Sequence, residues 1–274
     1  MIKRIAFVSL ILATALSGIA FSAPSLKDGV YFAQDKDFAP QGGWKEQVVV
    51  TVAGGKIAGV NWNGVSNLGV ADKKTVAKAG GYGMVKGSKL GLEFHQQAAN
   101  VEAYLVKTQD TGFSKFKSNG TTDAITGASL HVKNFFDLVK MALAAGPVAK
   151  GLYKKDGWFF AEQADFEAST GWKDSVLLTV VNGRLVDVVW NATNKDPAKK
   201  SKLLAALAGT YGMGKAAKLG EWNVQAAAVQ AELLKVQDPG KIPLKADETS
   251  DAVSGASLHL TAVPLAAKAL EEAR

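Results

Sequence analysis

The chain has 274 residues, 47% of them hydrophobic, with a formal charge of +7 at neutral pH. It holds one large or two small domains with ordinary cores. It contains no cysteine, which excludes disulfides, thiolate metal sites, cysteine-ligated iron–sulfur clusters and lipid attached to an N-terminal cysteine. The basic charge is spread in runs no denser than Lys73-Lys74 or Lys199-Lys200. These read as solvated surface rather than a nucleic-acid groove, though a basic surface still favours an acidic partner or anionic headgroups.

Along the chain, Lys3 and Arg4 precede an uncharged apolar stretch, Ile5 to Ala20, and Ala20-Phe21-Ser22 supplies small residues at a cleavage position. Residues 1–22 therefore read as a cleaved secretory signal, its apolar part short for a span of about 20 residues. The expected location is periplasmic or otherwise extracytoplasmic. Asp28-Gly29-Val30-Tyr31-Phe32 then opens a module over 28–147. Gln47 to Val52 and Ile57 to Trp62, separated by Gly54-Gly55, predict a β-hairpin. Lys73 to Ala79 predicts a short helix closed by glycine. Leu92 to Val106 predicts a longer one, with Ala98, Val101 and Leu105 at helical spacing. A third apolar segment runs from Leu130 to Ala145. Gly146-Pro147 ends the module, and 148–155 reads as a linker.

The same order returns over 156–274. Asp156-Gly157-Trp158-Phe159-Phe160 opens it. Val176 to Val181 and Leu185 to Trp190 flank Asn182-Gly183, a pair suited to a type I′ turn. Lys199 to Leu207 and Trp222 to Val236 predict helices. Leu258 to Ala273 contains Pro264, so this last helix starts late or bends. Trp44, Trp62, Tyr82 and Glu93 recur as Trp172, Trp190, Tyr211 and Glu221. A period this long is a domain duplication rather than a solenoid. The fold class expected is α+β: two tandem homologous modules, each a mainly antiparallel sheet with packed helices.

The closest internal match is Asp123-Ala124-Ile125-Thr126-Gly127-Ala128-Ser129-Leu130-His131, repeated as Asp251-Ala252-Val253-Ser254-Gly255-Ala256-Ser257-Leu258-His259. Glycine permits a tight turn and alanine adds little bulk. The spacing places a hydroxyl just before an apolar helix, where free amides and the helix dipole favour an anion such as phosphate. Ser129 and Ser257 would then hydrogen-bond a phosphate or be esterified to one. A ligand-free serine N-cap is the competing reading. Retention of the Asp and Gly-Ala in both copies favours a functional site.

Here the chain resembles the FMN-binding domain family, which includes the periplasmic flavin subunits of the sodium-pumping quinone reductase and the Rnf complex. The resemblance rests on Asp-x-x-Ser/Thr-Gly-Ala-Thr/Ser, on the Asp-Gly-x-aromatic openings and on the hairpins, and it covers both repeats. It implies covalent FMN, up to two per chain, joined by phosphoester links to Ser129 and Ser257. It also implies a flavin transferase partner that uses FAD and Mg²⁺. Asp123 and Asp251 would be recognised by that transferase, and Thr126-Gly127-Ala128 and Ser254-Gly255-Ala256 would shape the turn. Serine stands where most members have threonine, and His131 and His259 stand where Ser or Thr is common.

His131 and His259 are candidates to bond the phosphate or ring, with an exposed first-turn histidine as the alternative; neither has the neighbours of a metal site. Tyr82 and Tyr211, in glycine-rich loops, are candidates for the flavin face, whereas Trp62 and Trp190 end apolar strands and read as core. No catalytic acid–base pair, Walker loop or dinucleotide fingerprint is present. Three readings follow. One is an exported electron carrier between membrane or periplasmic redox partners. The second is an unmodified binding module of the same fold. The third is a reductase subunit acting on a small acceptor.

Overall fold

Paired positive-φ residues set the register of both hairpins. In the computed structural model, which describes residues 26–274, strand β2 (Trp44–Ala53) turns into β3 (Lys56–Ser66) through Gly54 and Gly55. Strand β5 (Trp172–Val181) turns into β6 (Arg184–Asn194) through Asn182 and Gly183. All four turn residues have φ between 51° and 74°, the geometry of a type I′ turn. The expected leader, 1–22, lies outside the described residues. Among those described, no helix is long and apolar enough to cross a membrane.

The Asp-Gly-x-aromatic openings form a third strand in each sheet, which the sequence pattern alone did not reveal. β1 (Gly29–Gln34) pairs antiparallel with β2, and β4 (Gly157–Glu162) with β5. The preceding aspartates lock the hairpins. Asp28 accepts from the amides of Gly54 (2.9 Å) and Gly55 (2.8 Å). Asp156 accepts from Asn182 (2.7 Å) and Gly183 (2.8 Å). The Gly55 amide, then that of Gly54, holds the Asp28 carboxyl below the usual range, because both bonds favour its charged form.

Each module therefore has a three-stranded antiparallel sheet, ordered β1-β2-β3 or β4-β5-β6. Helices α1 (Lys73–Lys78), α2 (Phe94–Thr108) and α3 (Val132–Ala145) pack on the first sheet. Helices α4 (Lys202–Leu207), α5 (Trp222–Val236) and α6 (Ala262–Leu270) pack on the second. Caps fix the starts: Asp72 accepts from the Thr75 amide, Ser201 from that of Leu204, and Glu93 closes a capping box with Gln96. Helix α4 begins at Lys202 rather than Lys199, because Ser201 takes the cap. Helix α6 begins at Ala262 rather than Leu258, so Pro264 falls in the first turn, where its missing N–H costs nothing.

The second face of each sheet lies against the other sheet, so the layers run helices, sheet, sheet, helices. Val65, Leu177 and Val189 form an apolar cluster there with Phe38, Trp158 and Phe160. Polar bonds continue the contact. Lys45 pairs with Asp187 at 2.9 Å, and Gln47 donates to Asp187 at 2.8 Å. Trp158 donates to Gln47 at 2.5 Å. Burial on both faces explains why β5 is buried from Asp174 onward instead of alternating. The segment 148–155 is held rather than free: the Val148 amide bonds Val30, that of Tyr153 bonds Gly183 and that of Lys154 bonds Ala273.

Candidate functional site

Ser129 and Ser257 are both exposed, and neither is a helix cap. The N-caps of α3 and α6 are His131 and Thr261, and neither makes a side-chain capping bond. The cap reading is thereby set aside, and so is the idea that the hydroxyls sit on a first helical turn. A glutamine from another helix holds each serine instead. Gln97, on α2, accepts from the Ser129 amide (2.7 Å) and hydroxyl (3.1 Å). Gln225, on α5, accepts from the Ser257 amide (2.9 Å) and hydroxyl (3.2 Å).

Both glutamines are fully buried. Their amide orientation is fixed, because the serine N–H requires the oxygen while the nitrogen donates elsewhere. Gln97 donates to the carbonyl of Leu92 at 3.0 Å and the Ser88 hydroxyl at 3.1 Å. Gln225 donates to the carbonyl of Gly220 at 3.1 Å. Each serine hydroxyl therefore donates to an amide oxygen, on a residue that remains exposed. The turn itself is sterically defined: Gly127 has φ 76°, and a Cβ there would meet Asn100 Nδ2 at 2.4 Å. Asn100 also donates to the Gly127 carbonyl at 2.9 Å.

The other motif residues separate by position. Asp123 and Asp251 are exposed and pair with Lys117 (2.6 Å) and Lys245 (2.5 Å), without reaching the serines. Thr126 and Ser254 are exposed, Ala128 and Ala256 half-buried. Gly255 carries φ 87° in place of Gly127. His131 is exposed and lines the cavity beside Ser129. The His259 ring nitrogen Nδ1 lies 2.6 Å from the Asp247 carbonyl.

A cavity of about 980 Å³ opens beside Ser129. Its lining mixes aromatic residues, Trp44, Trp62, Tyr82 and Phe94, with polar and charged ones such as Asp35, Lys73 and Asn134. Tyr82 stands edge-on to Trp44 at 5.9 Å and lies 5.7 Å from Phe94, so it serves the cavity wall and the core together. Trp62 and Trp190 are buried in the cores, as expected, although their strands continue past them to Ser66 and Asn194. A second cavity, about 530 Å³, is lined by Trp172, Trp190, Tyr211, Trp222 and His259. Tyr211 is 5.9 Å from Trp172. Burial, with Asp174 and Glu221 nearby, pushes its hydroxyl above the usual phenol range.

Each cavity floor holds a buried ion pair. Lys73 pairs with Glu46, and its Nζ lies 4.2 Å from the Phe94 ring centre and 5.1 Å from that of Tyr82. Lys202 pairs with Asp174 at 2.5 Å, its Nζ 5.7 Å from Trp172 and 5.4 Å from Trp222. Burial pushes the Glu46 carboxyl up, against the opposing pull of Lys73. Lys73 is thus not part of a solvated charge run. Lys74 is paired too, with Glu102 at 2.7 Å. The glutamines and these ion pairs were not singled out from sequence. The signal for Gln97 and Gln225 was their shared offset with the motif, 128 residues.

No family model matches the chain, and no curated protein matches it. Two solved structures are similar. One is a solution structure of a Clostridium thermocellum protein, 45% identical over 44% of this chain and 92% of that one, with a TM-score of 0.36. The other is a crystal structure of a Clostridium perfringens protein, 24% identical over 44% of this chain and 88% of that one, with a TM-score of 0.34.

Proposed function

We propose that this protein is an exported flavoprotein with FMN joined through phosphoester links to Ser129 and Ser257, carrying electrons outside the cytoplasmic membrane. The observation that supports this most is the serine seat: an exposed serine whose hydroxyl donates to a buried glutamine, present in both modules. A transferase that brings FAD and Mg²⁺ to such an oxygen would form the serine–phosphorus bond as the bond to AMP breaks, the hydroxyl proton passing to solvent. The exposed Asp123 and Asp251 are available to that enzyme.

The residues present suit the group. The aromatic residues lining the first cavity match a planar ring, and the floor ion pair places a cation and a carboxylate against it. When bound, FMN supplies reversible electron uptake. The protein attaches it, orients it and sets the charge around it. Its partners would be membrane or periplasmic redox proteins, and the chain would act as a carrier rather than a stand-alone enzyme. The test is visible absorption of the protein exported alongside a flavin transferase. A yellow, reversibly bleached product supports the proposal, with Ser129→Ala and Ser257→Ala each removing about half of the absorbance. A colourless product would favour an unmodified binding module. Turnover of a small acceptor by the single purified chain would favour a reductase subunit.

A further inference from the structure

The two modules share a cavity floor but not a cavity. Trp44, Lys73 and Tyr82 recur as Trp172, Lys202 and Tyr211. The first cavity includes Ser129 in its lining and extends to the 84–88 turn. The second reaches Leu258 and His259 but not Ser257. Three differences between the modules accompany the smaller second cavity. Phe94 is replaced by the larger Trp222. Gly120 is replaced by Glu248, which lines the second cavity. The late start of α6 leaves Thr261 as its N-cap, and the Thr261 hydroxyl donates to Asp174 on the floor. In the first module α3 instead presents Asn134, which donates to Asp35 at 3.1 Å at the cavity's edge.

We infer that the two sites are inequivalent: a flavin on Ser129 packs into the wider cavity that its own serine lines, whereas one on Ser257, which does not line the narrower second cavity, stays more exposed and is the contact for an external redox partner. This rests on the reading that both serines carry FMN. Ser129 lines a cavity of about 980 Å³, whereas the cavity of about 530 Å³ in the second module is lined by the neighbours of Ser257, Leu258 and His259; both volumes suit a small-molecule site, and the first offers a ring more room beside its serine. Contact with the wider cavity covers more of one ring, and the narrower cavity leaves more of the other open to approach.

The test is iodide quenching of flavin fluorescence at high, constant salt, which screens local charge. It is applied to the full-length Ser129→Ala and Ser257→Ala proteins after flavin transfer. The flavin retained on Ser129 should be quenched several-fold less efficiently than the one retained on Ser257. Equal quenching, or the reverse order, overturns the inference and leaves covalent attachment standing. Absence of flavin from wild type and both variants overturns the functional reading and the inference with it. Opening the second cavity with Glu248→Gly and Thr261→Ala in the Ser129→Ala background should lower the quenching. Unchanged quenching would show that these two residues do not set the difference.

Discussion

The side-chain oxygen of Gln97 accepts hydrogen bonds from both the amide and the hydroxyl of Ser129, reaching them from a separate helix. Gln225 does the same for Ser257. The motif is thus a turn seated on a buried polar anchor, and its geometry depends on α2 and α5 as much as on its own residues.

Gln97→Leu should reduce FMN occupancy at Ser129 several-fold and leave Ser257 modified, as peptide mass mapping would read. The buried amide also holds the 88–92 loop. Its loss should cost about 1–3 kcal/mol of stability, a typical figure for leaving buried partners unsatisfied. Full occupancy at Ser129 in a normally stable variant would show that the anchor is dispensable.

Tyr82→Ala should leave FMN attached at Ser129, because the phosphoester does not depend on stacking. Flavin fluorescence should rise or its reduction potential shift. Tyr82 also touches Trp44 and Phe94, so thermal stability should fall too. A stability loss with unchanged flavin signals would assign Tyr82 to the core alone.

Glu46→Gln should raise the reduction potential of the flavin on Ser129, because Lys73 keeps its charge and loses its counterion. A unit charge several ångströms away is worth roughly 1–3 kcal/mol at an effective dielectric near 20, about 20–60 mV for a two-electron couple. Lys73→Met with Glu46→Gln should return the potential towards wild type. Spectroelectrochemical titration decides it; a fall in potential for the single variant would reverse the assigned role of the pair.

Asp28 links pH to stability. Its folded-state carboxyl titrates below its ordinary value of 3.8. Its contribution is therefore complete above that value and disappears as pH falls through the lowered one. Asp28→Ala should lower Tm at pH 7, and the difference from wild type should shrink as pH falls from 3.8 through the lowered value. A difference that does not shrink on acidification would mean that the charged form of Asp28 is not what holds the Gly54–Gly55 turn.

The hairpins, the helices and the duplication were legible because they depend on near neighbours: Asn182-Gly183 chooses its own turn, and Pro264 delays its own helix. The third strand of each sheet was not, because Val30 and Tyr31 become a strand only when β2 offers its edge. The packing of one sheet on the other was hidden as well. Asp187 and Gln47 look like solvent-facing residues of a hairpin, and only the fold brings them together. Lys73 read as surface because its counterion, Glu46, lies on a strand that sequence spacing does not connect to α1. In the site, the serines and turn glycines were named from the motif, and the glutamine anchors were missed because they reach across from another element.

Asp187→Ala leaves Lys45 buried without its counterion and should destabilise the protein by about 3–5 kcal/mol, the usual result of breaking a buried pair. Both modules should weaken together, since the pair joins their sheets. Calorimetry showing that only the second module melts earlier would contradict the idea of a shared interface.

The central claim is that both serines are flavin acceptors, and the most direct measurement is mass mapping of peptides from the exported, transferase-treated protein. The account predicts FMN on the peptide containing Ser129 and on the peptide containing Ser257. Unmodified serines on both peptides, in protein exported beside an active transferase, would contradict it.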